Sequence, residues 1–386
     1  MPLVRFSTHA GGSMWRRKPV LFYGVNSEGL GHATRARPVI EALSRQYDVH
    51  IFCGGRAREF LMRHFPNVHR VWWGKLVYTN NTADIPSTAF WSVVQGPYAL
   101  LTGALVTAQA CLKRPVAVVS DFEPITAWAG MLTFTPVITL DNQMLLKHGA
   151  LPALPSSLSK DARLVSRVMF FNTPVVRRAL ISSFFQPGLK RGSESSARYV
   201  PLAVREGVLA RMGSVRTDGP ILVYQTSTTN HDLPITLRNA ALKHGLRFVV
   251  YGTIQMGVDA QGGVQYREFS EERFLDDLAR APFVIINGGH STIVEALALR
   301  KPVLAEPVRH QFEQAVNVVG LQTLGIGRGT EKLSVDDIVQ FAADVPKMRQ
   351  QMEALRLVDN EGLIRVVFEA VAEVNPARAA AAVPAL

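Results

Sequence analysis

A chain of 386 residues, 47% of them hydrophobic, has the material for two or three compact units with sizeable cores, which excludes wholesale disorder. Its two cysteines, Cys53 and Cys111, provide neither a disulfide framework nor a zinc site, so a reducing, cytoplasmic setting is expected. The 42 Lys+Arg against 31 Asp+Glu give a formal charge of +11, which points to anionic partners such as phosphates, acidic lipid headgroups or nucleic acid.

Residues 1–17 read as a loose tail, with Met14 as an alternative start. Arg16-Arg17-Lys18 precedes an apolar run at 20–23 that is short for a signal core and lacks an Ala-x-Ala site after it. That run reads as a first strand, followed by the loop Asn26–His32. Val39, Ile40, Leu43 and Tyr47 then share one helical face. Because Pro38 fits poorly inside a helix, the regular helix is expected to begin there, with 32–37 as an entry turn. Strands follow at 49–53 and 68–72. Residues 85–112 carry no charge over 28 positions, long enough to span a bilayer, but Gln95-Gly96-Pro97 interrupts them. They read as a buried helix following a loop. Strands at 116–120 and 137–140 run into Asp121-Phe-Glu-Pro124 and Asp141-Asn142-Gln143.

Between 177 and 216 Gly, Ser and Pro accumulate, and eight basic residues face only Glu194 and Glu206, +6 of the total +11. The inter-domain connection is placed here, as a solvated linker or a segment whose arginines meet a phosphate or a membrane. The alternation then restarts, with strands at 221–224, 247–251, 264–269, 283–286 and 302–306 and helices at 271–281 and 293–299. Short apolar strands alternating with helices argue two α/β halves, each a parallel sheet covered on both faces. A helix and a frayed Ala-rich tail end the chain.

In such sheets ligands collect beyond the carboxyl ends of the strands. Asn287-Gly-Gly-His-Ser-Thr292 is the most informative of these loops. Its glycines admit a close ligand, Ser291 and Thr292 bring hydroxyls, and the following helix aims N–H groups at an anion. Glu295 can accept hydrogen bonds from a ribose diol. Continued through Pro302-Val-Leu-Ala-Glu-Pro307, Gln311-Phe-Glu-Gln314 and Asn317, this run resembles the donor-binding signature of nucleotide-sugar glycosyltransferases with the GT-B fold. Glu28-Gly-Leu-Gly-His32 resembles the acceptor-side loop of the same enzymes, which include the transferase adding N-acetylglucosamine to the lipid-linked muramyl precursor of peptidoglycan. Asp121-Phe-Glu-Pro124 and Asp141-Asn142-Gln143 are similar to a little-characterised bacterial and archaeal branch of that group.

The resemblance covers about residues 20 to 330. It implies two Rossmann-like parallel-sheet domains facing a central cleft: 18–200 on the acceptor side, 201–355 for the donor, and 356–386 as a helix and tail. It further implies that Glu295 holds the ribose, that Gly289, His290, Ser291 and Thr292 cradle the diphosphate, and that Gln314 meets the sugar or ribose side. Ser227 and Arg205 would contact the diphosphate, and main-chain groups near Phe269 would read the base. Glu28, Gly29, Gly31, Glu123 and Asp141 fall on the acceptor side. His32 or Asp121 is the expected base, with Asp121 alternatively orienting His32. A helix N-terminus disfavours imidazolium and so keeps His32 available.

The implied reaction is sugar transfer from a nucleoside-diphosphate sugar, a UDP-sugar by preference, to an acceptor hydroxyl on a lipid or glycan, inverting and without metal or cofactor. No Asp-x-Asp motif is present, and Asp276-Asp277 and Asp336-Asp337 fall on helical patterns. An epimerase of the same fold and a non-catalytic nucleotide-sugar binder are the alternatives. Gly29-x-Gly31 lacks the third glycine of a dinucleotide fingerprint, Thr34 standing there. No nucleic-acid module accompanies the basic residues. Peripheral attachment to an anionic inner membrane face is expected through the basic stretch with Trp72, Trp73 and Trp91.

Overall fold

The computed structural model of the chain describes residues 18–27, 30–72, 77–79, 81–154, 158–225, 230–253, 255–259 and 262–376. Two seven-stranded sheets organise them. In the first, the order is Val68–Arg70, Asp48–Cys53, Val20–Val25, Val118–Asp121, Val137–Asp141, Arg178–Ile181, Ala197–Tyr199, with every pair parallel. In the second, Gly257–Val258, Val264–Tyr266, Phe248–Tyr251, Ile221–Tyr224, Val284–Ile286, Val303–Ala305 and Gly327–Gly329 follow in order. Only the Gly257–Val258 edge is antiparallel. Central strands such as Ile221–Tyr224 and Val284–Ile286 are apolar almost throughout because helices cover both faces.

This topology sets where a ligand can bind. Each sheet reverses its winding once, between Val20–Val25 and Val118–Asp121 in the first and between Ile221–Tyr224 and Val284–Ile286 in the second. At such switch points the loops leaving the carboxyl ends diverge and leave a crevice. Asp121 is the last residue of its strand, in register with Val25. Asn287 directly follows Ile286, which pairs with Tyr224. One apolar cluster joins the lobes, with Met144, Phe184 and Phe185 in contact with a core that includes Leu222, Ile293 and Phe312. The helix Asn360–Val374 returns to the first lobe and buries Leu363, Val367, Ala370 and Val371.

Several local expectations are corrected. The helix after the first loop runs from Gly31 to Leu43, with Pro38 inside it. An interior proline costs about 3 kcal/mol, and burial of Ala33, Ala36, Val39, Ile40 and Leu43 offsets that. The helix expected to start at residue 293 begins at His290, so Ser291 and Thr292 lie in its first turn. The basic stretch is not an open linker. It holds the last two strands of the first sheet, and several of its arginines are paired: Arg178 with Glu373 at 3.2 Å, Arg198 with Glu369 at 3.9 Å and Arg211 with Asp276 at 2.6 Å. The uncharged segment is one continuous helix, Ile85–Lys113, and the reading of it as buried is overturned. Only the stripe Ala99, Thr102, Val106 and Ala110 is buried, while Phe90, Trp91, Val93, Leu100, Leu101, Leu105 and Leu112 are exposed.

Candidate functional site

The two switch points face each other. His32 is the second residue of its helix, and Gly31 before it lies so close to the other lobe that a Cβ there would sit 2.7 Å from Ser291 Oγ. The N-termini of helices Gly31–Leu43 and His290–Ala298 therefore abut across the cleft, and both present the positive end of a helix dipole to it. Such an arrangement suits an anion held between the lobes.

On the first lobe the sequence brings together a three-residue group. His32 Nδ1 lies 2.9 Å from Asp121 Oδ1, and Arg35, one turn further along the helix, donates through Nε to Asp121 Oδ2 at 3.0 Å and through Nη2 to Oδ1. Arg35 Nη2 also lies 2.8 Å from His32 Nδ1. A single imidazole nitrogen cannot accept from Arg35 and donate to Asp121 at once. The carboxylate favours donation, which places the proton on Nδ1 and leaves Nε2 able to accept one. Burial opposes the charge on Asp121, but Arg35 and then His32 outweigh it and hold the carboxyl at about 2. Arg35 was not singled out in the sequence. Its signal was the spacing of three from His32, which puts both on one helical face.

On the second lobe Arg205 and Glu295, both singled out in the sequence, meet. Arg205 donates through Nη2 to Glu295 Oε2 at 2.7 Å, Nη1 lies 3.3 Å from Glu271, and the guanidinium stands 5.9 Å from the Phe274 ring. Phe269 is exposed beside this group, its ring 5.5 Å from Phe274 and 6.2 Å from Tyr224. Gly288 has a φ of +87°, a left-handed conformation that glycine adopts without strain, and this turns the chain into the helix that Gly289 caps. His290 is buried and stacked on Phe184, at 5.8 Å between ring centroids. Burial, then the positive charges of Arg35 and His32, push its pKa well below the usual range, so its ring is neutral.

The lobes are also joined directly. Asn142 Nδ2 donates to Glu313 at 3.0 Å and to Asn317 at 3.2 Å, Gln143 Nε2 donates to Glu313 at 2.9 Å, and Asn317 donates to the Gly288 carbonyl at 3.0 Å. The Asp-Asn-Gln turn thus grips the donor-side turn through Glu313 and Asn317. Gln314 lies alongside, with Oε1 accepting from the Val308 N–H at 2.8 Å.

Not every expected residue joins the group. Glu123 is buried and caps the helix Pro124–Leu132, accepting from the N–H groups of Ile125 and Thr126 and from the Thr126 hydroxyl. Asp141 Oδ1 accepts from Met144 N–H, and Oδ2 is buried with no partner among the described residues. Burial, reinforced by the charge on Asp121, pushes Asp141 up to about 7. Glu28, Gly29 and Ser227 lie outside the described residues.

The raised Asp141 carboxyl has a measurable consequence. A folded-state value above the unfolded one, about 3.9, means that its contribution to stability is present below that value and lost as pH rises through about 7. Asp141→Asn keeps the acceptor for Met144 and removes the buried charge. Chemical denaturation is expected to find the variant more stable than the parent at pH 8 and equal to it near pH 4.

Thr34, Arg35, Arg205, His290, Ser291 and Glu295 line the space between the lobes, a cavity of about 10 Å³. That is room for about one water, so a larger ligand requires the lobes to part. Both nitrogens of His290 and Nε of Arg205, which line it, and Oδ1 of Asn142 and Oε1 of Gln143, at the turn that meets Glu313, are buried without partners among the described residues. Native proteins seldom leave so many polar atoms unsatisfied in one place, and a polar ligand would satisfy them.

Residues 20–346 match the family model described as "Glycosyl transferase family 1". Among solved structures, the chain is similar to the glycotransferase of kitacinnamycin, with a TM-score of 0.66, 14% identity and coverage of 93% of this chain and 100% of that one. It is similar to UGT2 of Phytolacca americana, complexed with UDP-2-fluoro-glucose and pterostilbene, with a TM-score of 0.65, 13% identity and coverage of 93% and 100%. It is also similar to MurG of Acinetobacter baumannii, with a TM-score of 0.55, 13% identity and coverage of 92% and 99%. These likenesses show a shared fold, the two-lobed GT-B architecture. A comparison with curated protein sequences finds no match.

Proposed function

The chain belongs to glycosyl transferase family 1 and is a glycosyltransferase, and from that premise we propose that it uses a UDP-sugar in a direct, inverting displacement that needs no divalent cation. The observation that carries this reading is the juxtaposition of the His32–Asp121 pair with the N-terminus of helix His290–Ala298 on the opposite lobe. A diphosphate against Ser291 and Thr292 puts the anomeric carbon between that helix and His32. The acceptor hydroxyl gives its proton to His32 Nε2 while its oxygen bonds to the anomeric carbon and the bond to the diphosphate oxygen breaks. Nδ1–H stays on Asp121, which stabilises the imidazolium that forms.

Charge on the departing UDP is met by the helix N-terminus, Arg205 and Arg35, a donor set that can act without a cation. Glu295 takes the ribose hydroxyls by sharing its carboxylate with Arg205, and the exposed Phe269 flanks the base. UDP as the nucleotide is supported by the Phytolacca neighbour, whose complex contains a UDP-sugar.

A thermal-shift experiment tests the donor. UDP at a hundredfold excess over its Kd stabilises by about 2.7 kcal/mol, and the shift is expected to persist in EDTA. Failure of every nucleoside diphosphate to raise Tm removes the reading. A shift that EDTA abolishes removes the cation independence. Turnover of a UDP-sugar to its epimer without acceptor would instead make the protein an epimerase.

A further inference from the structure

Helix Ile85–Lys113 is apolar on nearly all sides, yet it buries only Ala99, Thr102, Val106 and Ala110. A helix hydrophobic all round belongs in a core or against a membrane. Here Phe90, Trp91, Tyr98, Leu100 and Leu105 point outward, Leu100 at 77% exposure. The surface continues beyond this helix. Leu132 ends the adjoining helix Pro124–Leu132, and Phe134, 96% exposed, follows just after its cap. Trp128 of that helix donates to the Phe171 carbonyl at 2.7 Å, which ties in helix Ser159–Asn172 with exposed Leu164, Val168, Phe170 and Phe171.

The exposed charges around this face are basic, and the part-buried Asp84 caps the start of the long helix through Ser87. Asp121, Glu123 and Asp141 are buried, and Asp161 is turned to His310 at 3.2 Å. Lys113 and Arg114 close the long helix in exposed positions, and Arg163 and Arg167 stand exposed beside Leu164 and Val168. Exposed polar groups from 89 to 112 are few, namely the Ser92 and Tyr98 hydroxyls, the Trp91 indole N–H and the Cys111 thiol, with Gln95, Thr107 and Gln109 partly buried. A protein partner would need about one hydrogen bond per 100–200 Å² of interface, and this face offers few groups to make them. Trp and Tyr beside Lys and Arg on an apolar helix are the anchors of a headgroup–acyl boundary.

We propose that the face made by helices Ile85–Lys113, Pro124–Leu132 and Ser159–Asn172 docks on an anionic lipid bilayer, with the long helix lying in the interface. It does not span, because its Ala99–Ala110 stripe holds it lengthwise against the first sheet. At its start Ala83 N–H donates to the Arg309 carbonyl of the second lobe at 2.9 Å, so the docked face ends where the lobes meet.

The test is co-sedimentation of the full chain with vesicles of phosphatidylcholine alone or mixed with phosphatidylglycerol. Binding is expected to favour the anionic vesicles and to weaken at high salt. Leu100→Asp with Leu105→Asp changes only exposed positions and is expected to lower partitioning at least tenfold at unchanged Tm. Lys113→Glu with Arg114→Glu is expected to remove the preference for phosphatidylglycerol. Parent protein that stays in the supernatant with both vesicle types overturns the proposal. So does a concentration-dependent dimer dissolved by the same leucine substitutions, which would make the face an interface between copies.

Discussion

Replacing His32 with alanine is expected to lower kcat by about a thousandfold, the usual worth of a positioned general base, with donor affinity unchanged. The argument rests on protonation states. Asp121, held at about 2 by Arg35 and His32 against the pull of burial, is a poor proton acceptor near neutral pH. The proposed mechanism accordingly gives proton transfer to His32 and orientation to Asp121. Asp121→Asn is then expected to cost kcat by about 10³–10⁴-fold, because the amide can donate to Nδ1 and fix the wrong tautomer. The double variant should be hardly worse than either single one, as for residues that act as a unit. Full activity in His32→Ala with loss only in Asp121→Asn would make the aspartate the base. Stability separates the two variants as well. Asp121→Asn leaves the Arg35 guanidinium without its counter-charge, whereas His32→Ala leaves the Arg35–Asp121 pair intact.

The strand-to-turn units were legible in the sequence because they are local. The apolar runs before Asp121 and Asn287 end at polar or glycine residues, and the sheets place those ends at the switch points. Partners distant in sequence were not legible. Asn142 and Glu313 are separated by 171 positions, and no local pattern announces that one grips the other. Pro38 misled because its intrinsic helix cost is visible in sequence while the burial that offsets it is tertiary. The long helix misled for the opposite reason. Apolarity predicts removal from water, but the helix has more apolar surface than the first sheet and helix Pro124–Leu132 can cover. The resemblance puts Glu123 on the acceptor side, although an acid directly before a proline that opens a helix is also a capping signal.

Arg205→Met is expected to destabilise the protein by about 3–5 kcal/mol, the range for removing one partner of a buried ion pair. The side chains of Arg205 and Glu295 are 12% and 8% exposed, so the orphaned carboxylate cannot be rehydrated in place. Burial already raises Glu295 above the usual carboxylate range even with Arg205 beside it, and without Arg205 it should take up a proton more readily. Combining Arg205→Met with Glu295→Gln removes both charges and is expected to restore most of the lost stability. Donor binding should follow the opposite course. If Arg205 meets the diphosphate and Glu295 the ribose, the double variant binds UDP no better than either single variant, whatever its Tm. Calorimetric titration with UDP next to chemical denaturation distinguishes the roles. Recovery of both stability and UDP affinity in the double variant would show the pair to be architectural, and the contacts that hold the nucleotide would have to be sought elsewhere on the second lobe.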